Sequence, residues 1–137
     1  MEQQDILSMT LPELQAAVQE LGEPKFRAKQ IFNWLHQKRV TDFSEMTTLS
    51  LPFRERLASD FCINRLKIAK RLASSVDDTV KYLYELPDGN YVETVCMQYH
   101  HGTSLCISTQ VGCRMGCRFC ASAIAGFVRN LTPAEML

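Results

Sequence analysis

Val80-Lys81-Tyr82-Leu83-Tyr84-Glu85-Leu86-Pro87-Asp88-Gly89-Asn90-Tyr91-Val92-Glu93-Thr94-Val95 is the stretch on which the reading of the fold turns. Val80, Tyr82, Tyr84 and Leu86 recur at every second position, the spacing of a strand that packs one face. Pro87-Asp88-Gly89-Asn90 then reads as a tight hairpin turn, because Gly and Asn tolerate positive φ. A second strand over residues 91–99 follows it. Outward from this hairpin, residues 65–72 and 104–109 read as further strands, with turns at 74–78 and 100–102. Sequential strands joined by short turns are most simply arranged as an antiparallel meander.

Before residue 65 the apolar period is 3.6 rather than 2. Thr10 with Glu13 fits a capping box, with Pro12 in the first turn. Leu11, Leu14, Val18 and Leu21 mark one helix face, and Gly22 can end that helix in a left-handed conformation. Pro24 opens a second helix, in which Ala28, Ile31, Phe32 and Leu35 form a core stripe flanked by Phe26 and Trp34. Phe43 and Met46 suit a short turn. Ser50 can cap a third helix carrying Phe53, Leu57 and Phe61 at four-residue steps. At the other end, Thr132-Pro133-Ala134-Glu135 reads as a helix start, and the chain stops two residues later. A helix cut in its first turn cannot bury a face, so the expectation is an N-terminal fragment of a longer protein.

The chain has 137 residues, 15 basic and 15 acidic, with 46% hydrophobic residues. That balance excludes disordered and fibrous classes. No apolar run approaches the roughly 18–20 residues of a membrane span, and the N-terminus lacks a secretory signal, so no membrane partner is expected. The zero net charge conceals a segregation: residues 1–23 carry −5, residues 24–75 carry +7 and residues 76–137 carry −2. A basic middle suits a polyanionic partner, or simply a solvated helix face. Lys25, Arg27, Lys29, Lys38 and Arg39 lie off the core stripe of the second helix and are the candidate phosphate contacts.

Six cysteines without a signal sequence favour a metal or redox role in a reducing cytoplasm over a disulfide framework. Cys113-Arg114-Met115-Gly116-Cys117-Arg118-Phe119-Cys120 is the sharpest signal. Three thiolates within eight residues can converge from one loop on a soft metal centre, with Gly112 and Gly116 letting the backbone wrap it. Three ligands leave one position open, which suits an iron–sulfur cluster that binds a further molecule. Structural zinc would need a fourth ligand, for which Cys106, His100 and His101 are the neighbours. Glu93, on a strand, reads by itself as a solvent-facing glutamate, and Cys106, Cys62 and Cys96 as small packed residues. His36, His100 and His101 read as surface or turn residues.

C-x3-C-x2-C with an aromatic before the last cysteine resembles the radical S-adenosylmethionine (SAM) signature. Further motifs agree in order and spacing. They are residues 24–30 followed by Ile31-Phe32-Asn33-Trp34-Leu35, then Asp42-Phe43-Ser44-Glu45-Met46, then Tyr91-Val92-Glu93-Thr94-Val95. Leu105-Cys106-Ile107-Ser108-Thr109-Gln110-Val111-Gly112-Cys113 and residues 126–131 complete the set. Together they resemble the RlmN branch of the RlmN/Cfr family of dual-specificity RNA adenine-C2 methyltransferases, over nearly the whole chain.

The resemblance implies an α+β chain leading into α/β. Residues 1–60 would be a helical accessory domain that helps hold RNA. Residues 61–100 would be a linker with antiparallel strands, and 101–137 the start of a truncated radical SAM partial (β/α) barrel with its cluster loop at a strand end. It implies a [4Fe-4S] cluster on Cys113, Cys117 and Cys120, with SAM chelating the fourth iron. Two SAM molecules are used: one methylates a cysteine near the C-terminus, and the other is cleaved to start the radical transfer to adenine C2. Glu93 matches the acceptor of the C2 proton, and Cys106 the cysteine that resolves the RNA–protein crosslink by forming a disulfide. The methyl-carrying cysteine has no match in these residues, so the chain by itself is expected to be inactive. The implied partners are 23S rRNA, tRNA and a flavodoxin-type electron donor, for a cytoplasmic monomer. A small zinc- or Fe–S-containing RNA-binding module and a radical SAM enzyme with another substrate are the competing readings.

Overall fold

The computed structural model describes residues 3–137, which fold as two compact units that divide between Arg65 and Leu66. In the first, α1 (Leu11–Glu20) begins as expected: the Glu13 carboxylate accepts from the Thr10 amide at 2.7 Å and from its hydroxyl at 2.6 Å. Those bonds hold the Glu13 pKa below its ordinary value. Gly22, at φ +78°, turns the chain after the helix. In α2 (Phe26–His36) the stripe Ala28, Ile31 and Leu35 is buried. Phe26, expected to flank that stripe, is instead 54% exposed, with the Arg27 guanidinium 5.0 Å over its ring.

α3 (Leu51–Asp60) buries Phe53 and Leu57, but Ser50 makes no side-chain capping bond. Phe61 does not continue this helix. With Cys62 it forms β2 (Phe61–Cys62), parallel to β1 (Gln4–Asp5). The pairing joins residues 57 positions apart, and Phe61, at φ −128° and ψ 161°, is the extended cap of α3. The Cys62 thiol faces the Gln3 carbonyl at 3.5 Å, so Cys62 is half-buried rather than a core residue. Ile6, Leu7, Leu14, Val18, Ile31, Leu35, Met46 and Leu57 form the fully buried centre.

The second unit is the expected meander. β3 (Lys67–Ala73), β4 (Val80–Glu85), β5 (Tyr91–Tyr99) and β6 (Gly102–Ile107) pair antiparallel in sequence order. Pro87-Asp88-Gly89-Asn90 forms the hairpin turn, with Gly89 at φ +80° and Asp88 Oδ1 accepting from the Asn90 amide at 3.1 Å. A bulge between Ile68 and Lys70 interrupts the β3–β4 register. Leu86, Val92, Val111 and Leu131 form a small core with Leu66, Tyr84 and Met136 packed against it. β7 (Gln110–Val111) pairs with β8 (Arg129–Asn130), and α4 (Pro133–Met136) starts at a reciprocal Thr132–Glu135 cap. No helix among the described residues is long and apolar enough to cross a membrane.

Candidate active site

The cysteine loop runs from residue 112 to 128 and is closed at its base. The β7–β8 pair is extended by bonds from the Val128 amide to the Val111 carbonyl and from the Leu131 amide to the Thr109 carbonyl, both 2.9 Å. Gly112 sits at φ +71°, and a Cβ there would lie 1.7 Å from the Gly126 carbonyl oxygen. Only glycine permits that approach, for reasons of conformation and of space. Gly116, at φ +66°, faces open space and needs only the conformation. Within the loop the Cys120 amide donates to the Cys117 carbonyl at 3.1 Å, and the Met115 amide points at the Cys113 sulfur at 3.5 Å. The Arg114 guanidinium stacks 4.2 Å over Phe127.

Cys117 is exposed, Cys113 and Cys120 are half-buried, and none of these three is in a disulfide. Among the described residues no three of His, Cys, Asp or Glu are gathered closely enough to hold a metal ion. The donor set nevertheless suits a soft centre: three accessible thiols on one loop, with no carboxylate or imidazole among them. Phe119 is 94% exposed, so the aromatic of the motif packs against nothing in this chain.

Glu93 and Cys106 are brought together by strand register. Val95 pairs with Cys106, and Glu93 lies two residues before Val95, so both side chains share one sheet face as diagonal neighbours. Lys81 belongs to the same face, its Nζ 3.0 Å from Glu93 Oε1. The Ser108 hydroxyl donates to the Glu93 carbonyl at 2.8 Å, tying the end of β6 to β5. Lys81 had no role in the sequence reading; in a meander only the turn length signals which residues pair across strands.

Arg129 also went unnoticed in the sequence. It bridges the hairpin turn and α4, donating to Asp88 Oδ2 at 2.6 Å and, through both terminal nitrogens, to the Glu135 carboxylate at 2.8 Å. These bonds hold both carboxyls below their usual pKa and push the guanidinium up. Arg129 pairs with Val111, so the network braces the foot of the cysteine loop. Its partners lie 41 and 6 positions away, and no local pattern announces them.

The candidate RNA contacts of the first unit are thinned by the structure. Arg27 lies 3.9 Å from Glu23 and bonds Gln30 at 2.9 Å, and the Lys38 ammonium sits 3.5 Å over the Trp34 ring. Arg56 donates to the Leu21 carbonyl, Arg54 to the Ser44 carbonyl, and Arg65 to the carbonyls of Leu35 and Val40. Lys25, Lys29 and Arg39 make no ion pair among the described residues. His36, at the last turn of α2, is half-buried against Phe32, and its Nε2 has no hydrogen-bond partner among the described residues.

Residues 4–63 match the family model of the ribosomal RNA large subunit methyltransferase N-terminal domain. A "Probable dual-specificity RNA methyltransferase RlmN" of Lachnoclostridium phytofermentans is 57% identical over 136 residues, covering 97% of this chain and 37% of that protein. One of the same name from Alkaliphilus oremlandii is 53% identical over 137 residues, covering 100% of this chain and 40% of the relative. The chain thus spans about two-fifths of the length of the curated relatives it matches. A radical SAM methyltransferase crystal structure from Sphaerobacter thermophilus superposes with a TM-score of 0.85 at 37% identity. It covers 97% of this chain and 39% of that one.

Proposed function

From the premise that this chain belongs to the RlmN family, we propose that it works within a radical SAM methyltransferase acting on C2 of adenine in 23S rRNA and tRNA. One observation carries the reading: three thiols stand on a single pinned loop, seven residues beyond a cysteine that shares a sheet face with a carboxylate. Cys113, Cys117 and Cys120 would hold a [4Fe-4S] cluster, and when bound it supplies the electron that cleaves SAM. The loop's contribution is to present the thiols from a closed base. Its exposed Met115, Phe119 and Ile124 offer an apolar rim that excludes water once covered.

Glu93 accepts the proton leaving adenine C2. Lys81 fixes one carboxylate oxygen, Oε1, and leaves the other for substrate. Cys106 acts as a thiolate on the sulfur of the carrier cysteine. The S–C bond to the product breaks, an S–S bond forms, and the electron pair leaves on the product carbon, which takes up a proton to become the methyl group. Its exposed position on β6 leaves the sulfur open to such an approach. RNA substrates, an oxygen-sensitive centre and a flavodoxin-type electron donor suit a cytoplasmic monomer. In the first unit, Lys25, Lys29 and Arg39 are the bases left to meet phosphate.

Anaerobic reconstitution of the chain with iron and sulfide tests the reading. About four irons per chain with a [4Fe-4S] EPR signal on reduction, lost in the Cys113→Ala, Cys117→Ala, Cys120→Ala variant, is the expected result. Binding of zinc alone, or a full cluster in the triple variant, would overturn it.

A further inference from the structure

The basic residues of the four-stranded sheet fall into two groups. Lys67 and Lys81 are matched by carboxylates: Lys67 Nζ lies 3.6 Å from Glu85, and Lys81 Nζ 3.0 Å from Glu93. The side chains of Lys70 and Arg71 make no ion pair or hydrogen bond among the described residues. Both stand in the middle of β3, an edge strand bonded only to β4, and every residue of that strand is exposed. Glu85 on β4 and Glu93 on β5 are already paired, and no ion pair offsets the charges of Lys70 and Arg71.

Register decides where that charge points. Ile68 pairs with Tyr84, and after the bulge Lys70 pairs with Leu83. Without the bulge, Ile68 and Lys70 would share a face; the extra residue, Ala69, turns Lys70 to the opposite one. That face is the one carrying Leu83, Lys81, Glu93, Val95 and Cys106. Lys67, paired with Glu85, belongs to it as well, about 10 Å along the strand from Lys70 at roughly 3.3 Å per residue. Arg71, opposite Tyr82, points from the other face.

We infer that the β3 edge is a contact for the sugar–phosphate backbone of RNA, with Lys70 and Arg71 supplying the free charges and Lys67 beside them. The inference rests on the RNA-methyltransferase reading and adds to it a surface. A strand of RNA held along this edge leads onto the face where Glu93 and Cys106 await a base. Phosphate contacts of this kind set register without reading sequence. Edge lysines also serve, in many sheets, to block pairing with a second copy; the experiment separates the two roles.

Binding of the wild-type chain to a fluorescein-labelled RNA stem-loop with an unpaired adenine is measured by anisotropy between 50 and 200 mM salt. The Lys70→Gln, Arg71→Gln double variant should lower the slope of log K against log [salt] by about 1.4–1.8, and weaken binding roughly tenfold at the low-salt end. The Lys70→Arg, Arg71→Lys variant should retain both. Lys38→Gln, whose ammonium is engaged over Trp34, controls for a change in net charge and should move the slope much less. The exposed single variants Lys70→Gln and Arg71→Gln, each costing about one unit of slope or slightly less, repeat the test should the double variant be unstable. Unchanged affinity and slope in the Gln variants overturns the inference. So does self-association by sedimentation with RNA binding intact, which would make the charges edge guards. A wild-type chain that does not bind the RNA overturns the RNA reading itself, and the inference with it.

Discussion

Among the described residues, the first unit buries fourteen apolar side chains and leaves only Phe26 and Leu51 as large exposed ones. The second buries five and exposes twelve, from Ile68 to Leu137. Their engaged cations also differ in partner: Arg54, Arg56 and Arg65 of the first donate to backbone carbonyls of their own unit, whereas Lys67, Lys81 and Arg129 of the second meet carboxylates. The difference reflects what holds each together. Helices of ten or eleven residues are marginal alone and need a shared core. A meander is held by its ladders and can leave apolar side chains exposed.

The chain's only tryptophan, Trp34, lies in the first unit and all four tyrosines in the second, so fluorescence and tyrosine absorbance follow the two separately. The largest expected effect is Leu57→Ala. Leu57 is fully buried, and its truncation should cost about 2–5 kcal/mol, read as an earlier Trp34 transition with the tyrosine transition unmoved. Joint loss of both signals would break the comparison.

Next comes Gly112→Ala. A side chain in the left-handed region costs about 1–2 kcal/mol, and the clash with the Gly126 carbonyl adds to it. Amide exchange at Val128 and Leu131 should accelerate and cluster reconstitution fall, while Gly116→Ala, which meets open space, should leave the loop base closed.

A pH titration sharpens the contrast further. Burial, reinforced by Arg65, holds the His36 pKa below its ordinary 6.5, so the unfolded chain takes the proton more readily. The stability tied to neutral His36 is present above pH 6.5 and lost as pH falls through the folded value. Asp88 and Glu135 are held down by Arg129, so their contribution is present above the ordinary carboxylate values of 3.8 and 4.5 and lost only below them. The Trp34 transition should therefore weaken at milder acidity than the tyrosine transition. His36→Gln should remove that early loss, and Arg129→Met should flatten the acid dependence of the second unit. The smallest effect is Leu105→Ala: at 64% exposure it should shift the tyrosine transition by no more than about 0.5 kcal/mol.

Much of this was local, and therefore legible in the chain. Thr10 with Glu13, Thr132 with Glu135 and the Pro87–Asn90 turn act over three or four residues, and they marked element starts that the structure has. The period change near residue 65 separated helices from strands for the same reason, since burial of one face repeats at 3.6 or at 2 wherever the element goes. The three thiols of the cysteine motif likewise lie within eight residues. What only the tertiary structure decided joins distant residues or depends on register. The Gln4–Phe61 pairing drew Phe61 out of its helix, and Arg129 found Asp88 across 41 positions. The packing of Phe32 left His36 half-buried, and the Arg65 charge acts on it from 29 positions away. The bulge at Ala69 set the face of Lys70, because one inserted residue reverses every side chain beyond it and no composition records the insertion.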